Sequence, residues 1–371
     1  LRQRRASATD YARPTGGWHA MTVHETRRDK LRRSLEKLAL DAILVTSARN
    51  VTYLTGFSGD SSYLLIGGGR ALLLSDGRFT EQIREECPGL ETVIRKTTGE
   101  RMPGVVAKAC RSMGIQRLGI ESAAMTVAEL ADLEASSSRL SIRPTTGLVE
   151  SLRACKDSDE LRLIREAIRV AEDAFRRFRH EVARMGTEKE AADRMETLVR
   201  EAGGVGTSFE TIVAIGLHAA QGHARPDLRP LEPGKPMVVD WGAAGRYYKS
   251  DLTRTLCIRT IPAKLEAIYK VVLRAQERAI KKIRPGIRGQ VVDAEARMTI
   301  EKAGFGRFFS HGTGHGIGLE VHEAPALRPN SQAILKPGMV VTVEPGIYVR
   351  GWGGVRIEDD VLVTRTGHEV L

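Results

Sequence analysis

The chain has 371 residues, of which 42% are hydrophobic, and carries a formal net charge of +11. That length favours two domains over one core, and that apolar content excludes wholesale disorder. No run reaches the roughly 18 apolar residues of a membrane span, because the best candidate, 63–74, is broken by Gly67, Gly68, Gly69 and Arg70. The arginines lie among glutamates on helical stretches such as 161–176, with no basic block interleaved with aromatics. The excess charge therefore reads as a basic surface and not as a nucleic-acid site.

Residues 1–20 hold Arg2, Arg4, Arg5 and Arg13 without an apolar segment. They are expected to be a disordered or non-native-like extension, and a secretory signal of the usual form is not expected. A leucine stripe predicts a helix over 26–39, and the run at 41–46 predicts a buried strand. Two apolar runs, 62–66 and 70–75, are joined by three glycines and predict a hairpin. Thr126 and Glu129 form a capping box ahead of a further helix. Helices and strands thus alternate over residues 21–152, an α/β domain.

The texture changes near 152–159, and residues 153–371 read as a second domain. Asp157 is placed to cap a long helix whose apolar positions (Leu161, Ile164, Ile168, Ala171, Phe175, Phe178) alternate in steps of three and four. Thr187 and Glu190 suit another capping box, and Gly203 with Gly204 stops the helix that follows. Helices are predicted at 264–282 and 289–302. Strands are predicted at 211–215, 237–241, 247–258, 338–348 and 354–364. Clustered elements of this kind favour an α+β class with a mostly antiparallel sheet. Cys87, Cys110, Cys155 and Cys257 form no CxxC pair, and read as buried free thiols of a reducing cytoplasm.

The chemistry sits in the second domain. Asp240 ends the apolar run in VVDWG, where a charge is costly unless paired or metal-bound. Asp251 follows in YKSDLTRT, and a hairpin through 242–245 would bring the two aspartates face to face. Alone each reads as a turn residue; together they favour a metal site. The segment HGTGHGIGLEVHE places His311, His315 and His322 within twelve positions, among glycines that let backbone crowd one pocket. One of these imidazoles reads as a ligand and two as proton-handling groups. Glu344 lies at the rim of a strand ended by Pro345 and Gly346. Strand alternation puts Arg356 and Glu358 on one face, either as a plain salt bridge or as a metal ligand beside an arginine that reads an anionic substrate group. Four carboxylates and one imidazole (Asp240, Asp251, His315, Glu344, Glu358) make a ligand set for two divalent ions. Its oxygen majority favours Mn²⁺ over Co²⁺ or Zn²⁺.

In these five frames and their order the chain resembles the pita-bread metallopeptidases, specifically the Xaa-Pro group of aminopeptidase P and prolidase. The stretch DAILVTSARNVTYLTGFSG resembles the creatinase-type N-terminal domain of that group. The resemblance implies a C-terminal pita-bread catalytic domain, with Asp240 on one metal, His315 and Glu344 on the other, and Asp251 and Glu358 bridging. It implies catalytic roles for His322, Glu344 and His223, and substrate contacts for Arg356, His311 and His223. The family commonly has proline before the residue matching His223, where this chain has Gly222. The implied activity is metal-dependent hydrolysis of the Xaa-Pro bond in peptides with proline second, by a homodimer or homotetramer in the cytoplasm. The alternatives are a prolidase restricted to dipeptides and a metal-free binding module of the same fold.

Overall fold

A computed structural model describes residues 21–96 and 99–371; the expectation for residues 1–20 lies outside them. The chain divides into two compact units between Thr145 and Thr146, ahead of the 152/153 position read from the sequence.

The N-terminal unit is a six-stranded mixed sheet. Its strands are β1 (Ala42–Val45), β2 (Tyr63–Gly67), β3 (Arg70–Ser75), β4 (Glu91–Ile94), β5 (Arg117–Glu121) and β6 (Ser141–Thr145), in the order β4-β3-β2-β1-β5-β6. The glycine-linked hairpin is present, with β2 antiparallel to β3, whereas β1 runs parallel to β5. The first helix, Val23–Lys37, buries Leu31 and Leu35, and the Thr126–Glu129 capping box is reciprocated. Sequence reading missed the helix Ala48–Thr55. That helix is only two turns long and needs its tertiary partners to form.

In the second unit every named strand pair is antiparallel, in keeping with the mostly antiparallel α+β class expected. The helix Ser158–Glu181 opens on the expected Asp157 cap and buries Ile164, Ala167, Ile168, Ala171, Ala174 and Phe178. Against it, Trp241 donates its indole N–H to the Ala171 carbonyl at 3.0 Å and stacks on Phe175 at 4.4 Å. Burying such a ring is worth roughly 1.5–3 kcal/mol. That anchor fixes the strand position next to Asp240. The helix Gly289–Lys302 has the predicted bounds. At Thr187 the capping box is only half made. The hydroxyl accepts from Glu190 N, but the Glu190 carboxylate turns to Gly186 N instead.

Three predicted strands are shorter or divided. Of 247–258 only Leu252–Leu256 is strand, because the chain turns tightly between Ala244 and Lys249. The stretch 338–348 is two strands, Val340–Val343 and Gly346–Val349, and 354–364 is likewise Gly353–Arg356 and Asp359–Val363. The outer pieces pair with each other in a five-stranded sheet and the inner pieces form a separate hairpin. The chain thus leaves one sheet at Glu344 and Pro345, where proline has no N–H to continue the ladder, and returns at Ile357 and Glu358. No helix among the described residues is long and apolar enough to cross a membrane. Cys87 and Cys110 are buried as expected, but Cys155 and Cys257 are half-buried.

Candidate metal centre and active site

The strand Met237–Trp241 pairs with Leu252–Leu256 so that Asp240 lies opposite Thr253. Asp251, two residues before Thr253, falls on the same face. The aspartates are therefore diagonal neighbours and not a direct cross-strand pair. Asp251 takes its position from Asp360, whose Oδ2 accepts Asp251 N at 3.1 Å.

His315 sits in the short strand Gly314–Gly316, flanked by Glu323–Leu327 and Val340–Val343. Its glycines answer to close backbone approach. A Cβ on Gly314 would lie 1.9 Å from the Thr342 carbonyl oxygen, and one on Gly316 would lie 2.2 Å from that of Ala324. The segment is tied to the helix Gly289–Lys302 through Asp293, which accepts from Thr313 N and Oγ1 at 3.1 and 2.9 Å. His315 Nδ1 faces the Gly316 carbonyl at 3.1 Å. This leaves Nε2 directed at Glu344 Oε1, 3.5 Å away, and Asp251 Oδ2, 3.7 Å away.

Glu344 and Glu358 stand at the two sheet crossings. Glu344 N donates to the Thr313 carbonyl at 2.8 Å, and Glu358 N to that of Thr253 at 3.1 Å. Thr253 Oγ1 also donates to Glu358 Oε2 at 2.7 Å. Ligand atoms of Asp251, His315 and Glu358 all lie within 4.8 Å of one another.

Every candidate named from the sequence lines one cavity of about 670 Å³: Asp240, Asp251, His315, Glu344, Glu358, His223, His311, His322 and Arg356. The His322 ring lies 4.3 Å from that of His315. His311 Nε2 contacts the Tyr348 hydroxyl at 3.0 Å. Burial holds the imidazoles of His311 and His315 down at about 4, so both are neutral at pH 7. Burial, reinforced by neighbouring carboxylates, pushes Asp251 and Glu358 well above the ordinary range, and burial lifts Glu344 to about 7.

These residues fit divalent cations. Four carboxylates converge on a buried cavity with a neutral imidazole, and Asp240 Oδ1 has no hydrogen-bond partner among the described residues. Arg356 offsets one of these charges through Asp240, and the remaining buried carboxylates call for a cation.

The expected substrate contact of Arg356 meets a guanidinium already engaged by protein. Arg356 lines the cavity, but its guanidinium is committed to protein. Nε donates to Thr253 Oγ1 at 3.1 Å, Nη1 to the Gly222 carbonyl and the Tyr348 hydroxyl at 3.0 and 2.8 Å, and Nη2 to Asp240 Oδ2. Four of about five donors are thereby used, and no open fork faces a substrate carboxylate. Tyr348, which joins Arg356 to His311, was not singled out from the sequence. Asp360, buried with its carboxyl pushed up to about 8 by that burial, was also overlooked.

Comparison with known proteins identifies the family and the fold. The model of metallopeptidase family M24 matches residues 162–365, and that of the creatinase/prolidase N-terminal domain matches residues 27–155. The chain belongs to metallopeptidase family M24. An Xaa-Pro dipeptidase of Pyrococcus horikoshii is 32% identical to this M24 chain, over 95% of it and 98% of the relative. The solved Xaa-Pro dipeptidase from Bacillus anthracis superposes with a TM-score of 0.89 at 38% identity, covering 94% and 97% of the two chains. The X-Pro aminopeptidase from Thermotoga maritima superposes at 0.84 with 33% identity, covering 91% and 97%. The pita-bread, creatinase-type architecture expected from the resemblance is thus that of this M24 chain.

Proposed function

We propose that this metallopeptidase hydrolyses the Xaa-Pro bond, with the Xaa-Pro dipeptide as preferred substrate. The observation that carries the reading is the convergence of Asp251, His315 and Glu358 within 4.8 Å, in a cavity also lined by His223 and His322. Asp240, Asp251, His315, Glu344 and Glu358 would hold two divalent cations, with Mn²⁺ favoured by the oxygen-rich set. Bound there, the cations supply Lewis acidity to the scissile carbonyl and lower the proton affinity of a water. Glu344, which lines the cavity, would take the proton that the attacking water gives up and return it to the leaving proline nitrogen. His322 and His223 donate to the carbonyl oxygen as it gains charge. A metal-free binding module would have no use for this ligand set.

Sequence reading put release from longer peptides first, with the dipeptide as alternative. Two features support reversing that order. Relatives named Xaa-Pro dipeptidase stand among the similar proteins, although an X-Pro aminopeptidase does too. In addition, Arg225 and Arg328 line the cavity, and their guanidiniums have no hydrogen-bond or ion-pair partner among the described residues. Either can meet the carboxylate that a dipeptide carries close to the scissile bond. The apolar lining of Phe209, Ile212 and Val321 suits a proline ring.

The test compares Xaa-Pro with Xaa-Pro-Xaa, with Mn²⁺ and after exhaustive chelation. Mn²⁺-dependent turnover is expected to favour the dipeptide, and replacing Arg225 or Arg328 by alanine is expected to raise KM for the dipeptide alone. Equal kcat/KM on both substrates would sink the dipeptide preference, and full turnover without metal would sink the mechanism. Four cysteines unpaired with one another support a reducing, cytoplasmic setting, and the expected homo-oligomer is checked by sedimentation.

A further inference from the structure

We infer that Glu188 is a positioning residue, which holds the segment carrying His223 through His218. Glu188 is the first residue of the helix Glu188–Glu201 and is fully buried. A buried carboxylate persists only where its oxygens are matched by donors, and the helix N-terminus favours its charge. Both oxygens of Glu188 reach chain on the two sides of His223. Oε1 accepts from Ile215 N at 2.7 Å; Oε2 faces His218 Nδ1 at 2.7 Å and Asp227 N at 3.4 Å. The backbone closes the same loop, with Glu188 N donating to the Arg229 carbonyl at 3.0 Å and Lys189 N to that of Asp227 at 2.9 Å.

From His218 the constraint runs directly toward His223. The His218 carbonyl accepts from Gln221 N at 3.0 Å, and the Gln221 carbonyl accepts from Ala224 N at 3.3 Å. Gly222 lies between them and lines the cavity beside His223. A glycine gives this turn little stiffness of its own, so the imidazole's place is set from outside. Arg356, on the Gly222 carbonyl, holds the turn from the cavity side. Glu188 and His218 hold it from the other side. The ligand atoms of Glu188, His218 and Asp227 also lie within 4.8 Å, but both Glu188 oxygens already face hydrogen-bond donors, which describes a clamp and not a cation site.

The inference rests on the proposed role of His223 at the substrate carbonyl. The test uses the full-length, Mn²⁺-loaded enzyme and an Xaa-Pro dipeptide, with His218→Ala, Glu188→Ala and Glu188→Gln each made alone and with His223→Ala. His218→Ala is expected to lower kcat by up to about 100-fold, the effect of a misplaced group, with KM and metal content unchanged. In the His223→Ala background the same change is expected to cost nothing further. Glu188→Gln should keep most of the turnover that Glu188→Ala loses, because the amide oxygen still accepts from Ile215 N and the amide N–H donates to the imidazole in its other tautomer, giving up only the long contact with Asp227 N. Equal fold-losses in both backgrounds, loss of metal in His218→Ala, or a glutamine variant as slow as the alanine one would each overturn the clamp while leaving the proposed function standing. Full turnover in His223→Ala would instead remove His223 from the mechanism, and the clamp's purpose with it. Should Glu188→Ala fail to fold, His218→Ala, which cuts only the loop side of the contact, still decides the matter.

Discussion

Arg356 and Asp240 form a buried ion pair between residues 116 positions apart. The same guanidinium reaches Thr253, whose hydroxyl in turn bonds Glu358. Arg356 therefore touches one candidate ligand directly and another through a single hydroxyl. Groups that orient ligands in this way typically cost about 10–100-fold in metal affinity or activity when changed.

Replacing Arg356 by lysine keeps the charge but removes the fork, so the bonds to Tyr348, Gly222 and Thr253 cannot all be kept. We expect kcat/KM to fall by roughly 10–100-fold, and by the same factor on Xaa-Pro and Xaa-Pro-Xaa substrates. Steady-state kinetics on the two peptides checks this. A loss confined to the dipeptide would return Arg356 to reading the substrate carboxylate.

Asp251→Asn and Glu358→Gln are each expected to lose bound metal and nearly all turnover. His322→Ala is expected to retain metal and to lose roughly 10²–10³-fold in kcat, the usual cost of one donor to a developing oxyanion. Elemental analysis beside kcat separates the two classes. An empty site in His322→Ala would make His322 a support of His315, against whose ring it lies.

The third expectation concerns acid. Glu323, next to His322, is ion-paired with Arg153 and lies 3.5 Å from Lys156. Burial alone would raise its carboxyl, but the charges of Lys156 and Arg153 reverse that and hold it below the usual glutamate value. A carboxyl depressed in the folded state stabilises above its unfolded pKa of about 4.3, and that contribution fades as pH falls through the folded value. Glu323→Gln should therefore destabilise by up to about 3–5 kcal/mol at pH 7, and by progressively less below about pH 4. Urea unfolding of both proteins at neutral and acid pH measures the difference. A difference that stays constant would mean the loss is steric.

The candidate ligands were legible because each stands where a local pattern breaks: a charge ending an apolar run at Asp240, a Pro-Gly stop after Glu344, glycines around His315. What could not be read arises from long-range meetings. Tyr348 matters because it meets His311 and Arg356, Asp360 because Asp251 lies across from it, and His218 because Glu188 is 30 positions away in sequence. Alternation placed Arg356 and Glu358 toward the cavity but could not show that other parts of the chain would occupy the arginine's donors. The sheet crossings were invisible for a related reason. Pro345 and Gly346 mark where the first strand stops, but nothing local shows that the pairing partners change there.

Those crossings also divide the hairpin into a part where length matters and a part where it does not. Val343 is registered with Asp359 on one side of the crossing, and Gly346 with Arg356 on the other. Adding one residue at 344–345 or 357–358 would turn a glutamate to the opposite face, since side chains alternate along a strand. The tip beyond the Val349 and Gly353 pair carries no such constraint, and Arg350 and Gly351 are exposed there. A reporter peptide or a spectroscopic label grafted at Arg350–Gly351 would thus ride on the hairpin that joins Glu344 to Glu358 while leaving the spacing of the two carboxylates intact.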